Sequence, residues 1–471
     1  MKKIAVVGSG VSGLGAAWAL VGGAADVQVT LFESDARLGG HAHTVDVSLP
    51  DAQGTVVTHG VDTGFLVFNE RTYPRLLALF AELGIVPATS DMSFSVQVPR
   101  APGAVRGAQA WMSGLQWCGS SLNSVFSQRR NLCSPSFWSM LRDLLRFNRL
   151  ATDLARRGDD AALAQPIGAF LDAQGFGHPF RDAYLLPMIA CIWSCPTRQM
   201  VDFPVGTLIR FCHNHGLLQV TDRPQWYTVR GGSREYVRRL AVRFEGRGGR
   251  IRLGTPVRAI ERLGDSVSAG EAGVRLITDA GAEPFDEVVL ACHSDQALAL
   301  LGAQASAAER ELLGAVRYHH NRAVLHTDTA LLPDRRLTWA AWNYERSAPG
   351  RDEPAAVCLH YLLNVLQPLP WSQPVVVSLN PLREPRAETV LREFDYAHPV
   401  FDQAAVAAQS RLPEIQGRQR VWFCGAWTGY GFHEDGLRSG QDVAAAVLAA
   451  LDPAAQAPRR APAVWPEPAV A

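Results

Sequence analysis

The residues best placed to do chemistry lie at the start of the chain, where Gly8, Gly10 and Gly13 form the pattern G-x-G-x-x-G. The apolar run Ile4-Ala5-Val6-Val7 precedes them. A small-residue helix, Leu14 to Leu20, follows, and a β-rich run, Val27 to Phe32, ends on Glu33. Glu33 stands twenty residues after Gly13, the interval of a strand–helix–strand unit that binds a dinucleotide. Gly8 permits the tight turn out of the strand, Gly10 lets the backbone approach a pyrophosphate, and Gly13 lets helix and strand pack closely. The helix start offers free N–H groups to the phosphates, with Ser9 and Ser12 in the same turn. Glu33 can accept hydrogen bonds from ribose hydroxyls, and an acid there disfavours the 2′-phosphate of NADP.

Around this stretch the chain is long and evenly charged. It has 471 residues, room for two or three domains, and its 45 basic residues balance its 45 acidic ones. Neutrality argues against a nucleic-acid partner, which requires a basic face. Lysine occurs only at Lys2 and Lys3. The eight cysteines form no CxxC pair and read as buried thiols in a reducing compartment. No run of 18 apolar residues exists, so no spanning helix is expected. Met1-Lys2-Lys3 reads as the lead into the first strand rather than as a signal peptide. The expected location is the cytoplasm, with the inner membrane face as a peripheral alternative. The close histidine pairs, His41-x-His43, His213-x-His215 and His319-His320, lack a nearby cysteine or an HExxH pattern, so no metal is expected.

Further along, Thr44 to Leu49 and Thr55 to His59 alternate around a turn cluster and predict a hairpin. Val61-Asp62-Thr63-Gly64-Phe65 follows, then a helical pattern from Thr72 to Leu83 closed by Gly84. From about 96 to 226 the chain turns rich in Trp, Phe and Leu and reads as a mostly helical insertion. Within it, Phe137 to Arg157 sets Met140, Leu144, Phe147, Ala151 and Leu154 on one face and Arg142, Arg146, Arg149 and Arg156 on the other. The reading taken is a surface helix over a core; the alternative is an interfacial helix meeting anionic lipid. The apolar stretch Leu185 to Pro196 reads as buried. Strand-like runs at Ala323–Thr327, Leu337–Trp342, Val357–Leu363 and Val375–Leu379 predict a sheet in a second insertion. Trp342, His360 and Tyr361 are its candidates for a substrate pocket. Near the end, a strand is expected to end at Gly425, a glycine-rich loop follows, and a helix is expected from about Gly436 to Leu451. The tail from Asp452 is Pro- and Ala-rich and reads as disordered.

Glu33-x-x-x-Arg37-x-Gly39-Gly40 resembles the extended signature of the flavin amine oxidase and phytoene desaturase superfamily, with His41 where a basic residue is usual. The double glycine Gly231-Gly232, the segment around Val257 and the run Val288-Val289-Leu290-Ala291 resemble other flavin segments of that superfamily. So does Gly425 to Gln441. The resemblance implies an α/β fold, a Rossmann-type FAD-binding domain of the two-dinucleotide-binding kind with an interleaved α+β substrate domain. The FAD-binding parts are expected at 1–95, 227–304 and 394–451, and the substrate domain at 96–226 and 305–393. It further implies FAD contacts at Ser34, Arg37, Gly39, Gly40, His41, Thr63, Gly64, Val257, Ala291, Gly425, Asp435, Gly436 and Leu437, besides Gly8 to Gly13 and Glu33. Tyr430 and Phe432 would face the substrate. His433, in the same loop, is the one candidate acid or base, with loop capping as its plainer role.

The segments Ser121–Phe126 and Leu141–Arg149 resemble a bacterial group of predicted NAD/FAD-binding proteins similar to flavin-dependent fatty-acyl desaturases. Many amine oxidases of the superfamily use a lysine that holds a water near the flavin, and no lysine follows Lys3. Phe432 stands where one aromatic of the amine-binding pair would align, and it lacks a hydroxyl. The expectation is FAD-dependent dehydrogenation of a long apolar, lipid or fatty-acyl substrate. The alternatives are an amine or amino-acid oxidase without the usual lysine, and a binding module that holds FAD structurally. Oligomeric state is left open.

Overall fold

The computed structural model describes residues 1–23, 26–101, 110–158, 163–219, 223–263, 273–348 and 356–451. The tail from 452 lies outside them. The chain forms two compact units.

The first unit comprises Met1–Gly40, Val237–Val316 and the segment from Ala404 onward. Its five-stranded sheet is parallel throughout, in the order Arg250–Arg252, Val27–Phe32, Lys2–Val7, Glu287–Leu290, Val421–Phe423. Lys2–Val7 is the central strand, and its last four residues are buried. A strand covered on both faces needs an unbroken apolar run, which explains Ile4 to Val7. Helix Val11–Gly22 follows directly, and the last helix, His433–Leu451, packs on it. A three-stranded antiparallel sheet, Val257–Arg262, Val274–Thr278 and Gly281–Phe285, completes the unit.

The second unit comprises His41–Tyr236 and Arg317–Gln403. Residues 41–95, which the sequence groups with the cofactor half, cluster here with the two insertions. The seven-stranded sheet runs Val390–Val400, Arg317–His326, Val376–Leu379, Cys358–Leu362, Trp342–Glu345, Phe94–Gln97, Gln116–Cys118. Three of the four expected strands of the second insertion are present. The fourth, Leu337–Trp342, instead holds a short 3-10 turn at Arg336–Thr338, and the strand begins at Trp342. Sequence reading misses the edge strand Val390–Val400, because its exposed positions carry charges and its polar residues do not alternate cleanly. The hairpin appears as Thr44–Pro50 and Val56–Asp62. The long helix spans Pro135–Arg157, and the apolar stretch after Leu185 forms the buried helix Leu186–Trp193.

Candidate functional site

In the first unit, backbone approach dictates the glycines. Gly8 has φ +102°, and a Cβ there would stand 2.8 Å from the Ala291 carbonyl oxygen. A Cβ at Gly13 would fall 1.9 Å from the Gly8 carbonyl oxygen. Gly13 therefore holds helix against strand, as its position in the motif predicts. Gly10 differs: a Cβ on it would meet no protein atom within 4 Å. Gly10 is also the residue before the helix, and no side chain caps the helix there. An uncapped N-terminus beside a side-chain-free position is a cradle for a diphosphate. Gly39 and Gly40, at φ +108° and +56°, close on the same turn, with Gly40 beside the Gly10 Cα. Arg37 donates to the Gly40 carbonyl at 2.9 Å and so fixes the double-glycine turn.

Ser9 ties these pieces together. Its amide and hydroxyl both donate to Glu33 Oε2, at 2.9 and 2.5 Å, and its carbonyl accepts from the Gly39 amide at 3.0 Å. Glu33 Oε1 accepts from the Asp35 amide and the Ser34 hydroxyl. The carboxylate is thus held at the strand tip by four donors before any ribose is considered. Sequence reading foresaw Glu33 but not that Ser9 and Ser34 would serve as its supports. The residues present fit the dinucleotide: the cradle at Gly10 would take the diphosphate, and the fixed carboxylate of Glu33 would meet the ribose.

The C-terminal element differs from expectation in register. The helix begins at His433, three residues before Gly436. Gly436 is glycine because of the neighbouring helix: a Cβ there would stand 2.8 Å from Val11 Cγ1 and 2.9 Å from Ser12 Oγ. Gly440, which sequence reading did not single out, is tighter still, with its Cβ position 2.1 Å from the Ser12 carbonyl oxygen. Leu437 is fully buried and packs where a Cβ at Gly15 would be. Asp435 accepts from the Phe432 amide at 3.1 Å and from Arg438 at 2.9 Å, so it shapes the loop that carries Tyr430 and Phe432. Burial raises its carboxyl above the usual range, against the pull of Arg438 and the amides of Phe432 and Tyr430. Gly425 donates its amide to Ser439 Oγ at 2.9 Å. Ala291 sits against Gly8 and Gly13. Val257 opens the first strand of the three-stranded sheet. His433 is half-buried at the first position of the last helix.

In the second unit, His41, Thr63 and Gly64 lie together. A Cβ on Gly64 would fall 2.2 Å from the His41 carbonyl oxygen, and that oxygen accepts from the Phe65 amide at 2.8 Å. Gly64 is therefore required by the chain itself. The Thr63 hydroxyl meets the Tyr396 hydroxyl at 2.7 Å, and His43 Nδ1 meets the same oxygen at 2.9 Å. The His41 ring lies 5.2 Å from the Tyr396 ring and 5.4 Å from that of His398. Beside them, buried Asp62 accepts from the Thr44 hydroxyl at 2.5 Å and from the Ser233 hydroxyl at 2.7 Å, and both its oxygens accept from the Ser233 amide at 2.9 Å. It thereby fills the N-terminus of helix Arg234–Gly246 and holds the Gly231-Gly232 turn. Burial pushes its carboxyl up to about 6, against the lowering pull of Thr44, Ser233 and Arg234. Sequence reading missed Asp62 and Tyr396, whose partners Ser233 and Thr63 are 171 and 333 residues away.

The pocket candidates divide. Tyr361 and Trp342 are cross-strand partners with rings 5.1 Å apart. Tyr361 is buried and bonded to Ser194; Trp342 is half-buried, and its Nε1 has no hydrogen-bond partner among the described residues. His360 alternates to the opposite sheet face from Tyr361 and is fully buried. It belongs to a one-way hydrogen-bond chain. The Asp328 amide donates to His326 Nδ1 at 3.0 Å, leaving that ring's proton on Nε2. Nε2 donates to Ser378 Oγ at 2.7 Å, the serine donates to His360 Nδ1 at 2.7 Å, and His360 Nε2 donates to Glu345 at 2.9 Å. Burial pushes His326 down to about 4, helped by His360 and opposed by Asp328. Glu345, Cys358 and His360 bring three metal-type donor atoms within 4.8 Å. The proton on His360 Nε2 occupies the lone pair a metal would need, and burial, reinforced by Glu345, keeps the Cys358 thiol protonated.

The chain matches the flavin containing amine oxidoreductases over residues 11–362. It belongs to that family. It is a flavin-dependent oxidoreductase, and its cofactor is FAD. Among solved structures it is similar to cyclohexylamine oxidase from Brevibacterium oxydans, at 16% identity over 96% of this chain and 99% of that one, with a TM-score of 0.64. Putrescine oxidase bound to putrescine aligns at 15% identity over 95% and 99%, with a TM-score of 0.61. The conjugated-linoleic-acid-producing fatty acid isomerase of P. acnes aligns at 14% over 94% and 98%, with a TM-score of 0.58. At these identities the likeness is one of fold. No curated protein matches the sequence. Among the described residues no helix is long and apolar enough to cross a membrane.

Proposed function

We propose that this oxidoreductase dehydrogenates a long apolar substrate, a lipid or fatty-acyl chain. The observation that carries the reading is the absence of lysine after Lys3 in 471 residues. The lysine-held water that many amine oxidases of the superfamily use cannot be built here. Phe432 adds to this, since it offers no hydroxyl to an amine. The fatty acid isomerase among the similar structures supports an acyl substrate on this fold.

Bound FAD supplies a hydride acceptor. The chain's own residues hold it: the Gly8–Gly13 turn and the uncapped helix start at the diphosphate, and Glu33, fixed by Ser9, at the ribose. Trp342, whose buried indole N–H has no hydrogen-bond partner among the described residues, is the substrate-contact candidate of the second unit. The test is product analysis. Holoprotein incubated with phospholipids carrying unsaturated or modified acyl chains should yield a product lighter by two hydrogens, with a new double bond located by mass spectrometry. Sustained peroxide release with amines, and unchanged lipid, would replace this reading with amine oxidation.

A further inference from the structure

The long helix Pro135–Arg157 buries Phe137, Met140, Phe147 and Ala151 on one face. Ser134 caps its start by accepting from the Phe137 amide, and Gly158 closes its end in the left-handed conformation. The outer face is not simply solvated. Trp138, Arg142, Leu145, Arg149, Asp153 and Arg156 recur at steps of three and four residues, and all six are exposed. Trp138 and Leu145 keep 47% and 48% of their surface open. The segment just before the helix continues the pattern, with Leu122 at 80% and Leu132 at 48%. Trp138 ties the helix to that segment: it donates its indole N–H to the Leu132 carbonyl at 2.9 Å, and its ring lies 5.3 Å from that of Phe126.

Charge points the same way. Residues 122–157 hold seven arginines and two aspartates in a chain whose net charge is zero. One of those aspartates, Asp143, is buried. Arg149 and Arg156 have no carboxylate within ion-pair distance among the described residues, and Arg142 has only Asp143, at 3.8 Å. Arg129 donates to the Phe126 carbonyl and Asn123, and Arg130 to the Ser113 and Gly114 carbonyls. Arg146 is committed elsewhere, lying over the Phe176 ring and donating to the Gln174 and Gly175 carbonyls. A groove of about 500 Å³ runs along the helix, lined by Leu145, Arg149, Asp153, Arg156 and Leu218 among others. An ordinary solvated face has no use for Trp and Leu spaced between unpaired arginines. A lipid surface does: the apolar groups enter past the headgroups, the indole sits at the boundary, and guanidinium forks take the phosphates.

We propose that this face docks the protein on a bilayer rich in anionic phospholipid. The proposal deepens the lipid reading, on which it rests for its purpose, by naming the form in which the acyl substrate is met: a phospholipid in the membrane surface.

The test is flotation of the FAD-loaded protein with vesicles of phosphatidylcholine alone and of equal parts phosphatidylcholine and phosphatidylglycerol. Binding is expected only to the second kind, weakening with salt. The pair Arg142→Glu/Arg149→Glu should weaken it at least tenfold, and Trp138→Ser/Leu145→Ser should weaken it at all salt concentrations. Arg310→Glu, an exposed charge reversal outside the segment, should bind as the parent does. An unchanged flavin spectrum certifies folding of each variant. Failure to bind anionic vesicles, equal binding by all variants, or a concentration-dependent dimer that Trp138→Ser dissolves would overturn the proposal; the last would make the face a contact between two copies. Flavin bleaching by detergent-dispersed acyl substrate separates the two claims. Bleaching without vesicle binding removes the docking and keeps the substrate reading, while vesicle binding without bleaching does the reverse.

Discussion

In the unit that begins at Met1, the geometry of the site depends on side chains that are missing. Gly8, Gly13 and Gly440 let backbones approach to distances no Cβ would permit, Gly436 makes room for the Val11 and Ser12 side chains, and Gly10 leaves a cradle at an uncapped helix start. In the unit that begins at His41, geometry depends on side chains that reach far along the sequence. Asp62 holds Ser233, Tyr396 meets Thr63, and Ser378 joins two buried histidines. The first arrangement is local and steric, so it tolerates almost no substitution. The second is polar and buried, so it answers to pH and to the loss of single hydroxyls.

The comparison can be broken most sharply at Gly13. Gly13→Ala places a methyl against the Gly8 carbonyl and should cost about 3 kcal/mol with loss of bound flavin, measured by denaturant unfolding and the visible spectrum. A stable yellow variant would show that the close approach is dispensable. The second unit should respond to acid. His326 and His215 are both pushed down to about 4 by burial, so the folded state resists protonation that the unfolded chain accepts near 6.5. Stability from this source is full above pH 6.5 and falls as pH drops toward 4, by about 3 kcal/mol for each histidine. In parallel pH titrations of unfolding, His326→Gln should lose its share of that slope; an identical slope would remove the histidine from the account. Ser378→Ala strands a donor and an acceptor and should cost about 2 kcal/mol while flavin content stays unchanged. Smallest is Gly10→Ala. Its methyl meets no protein atom, so stability of the FAD-free protein should change by less than about 0.5 kcal/mol. Flavin affinity, read by titration, should nevertheless fall. If stability and affinity fall together, Gly10 serves the fold and not the cofactor.

The same contrast explains what was legible in the sequence. The first strand–helix–strand unit, its glycine turn and Glu33 follow from spacing within forty residues. The hairpin and the long helix follow from periodicity. An aromatic run in a strand does not say which face carries a ligand, and alternation puts Tyr361 and His360 on opposite sides. Asp62 and Tyr396 carried no signal, since a lone acid after a strand and a lone tyrosine in an edge strand acquire their partners only on folding. Gly436 stands out in the sequence as part of a flavin motif, and the fold adds a packing reason for it, the crossing with Val11–Gly22. The start of the last helix was misplaced because Glu434 and Asp435, good first-turn residues, were read as loop.

The proposed substrate is an acyl chain and not an amine. Anaerobic mixing of the FAD-loaded protein with unsaturated phospholipid, and separately with primary and secondary amines, tests it directly. The account predicts that the lipid bleaches the flavin's visible absorbance and the amines leave it unchanged; bleaching by amines with no response to lipid would contradict it.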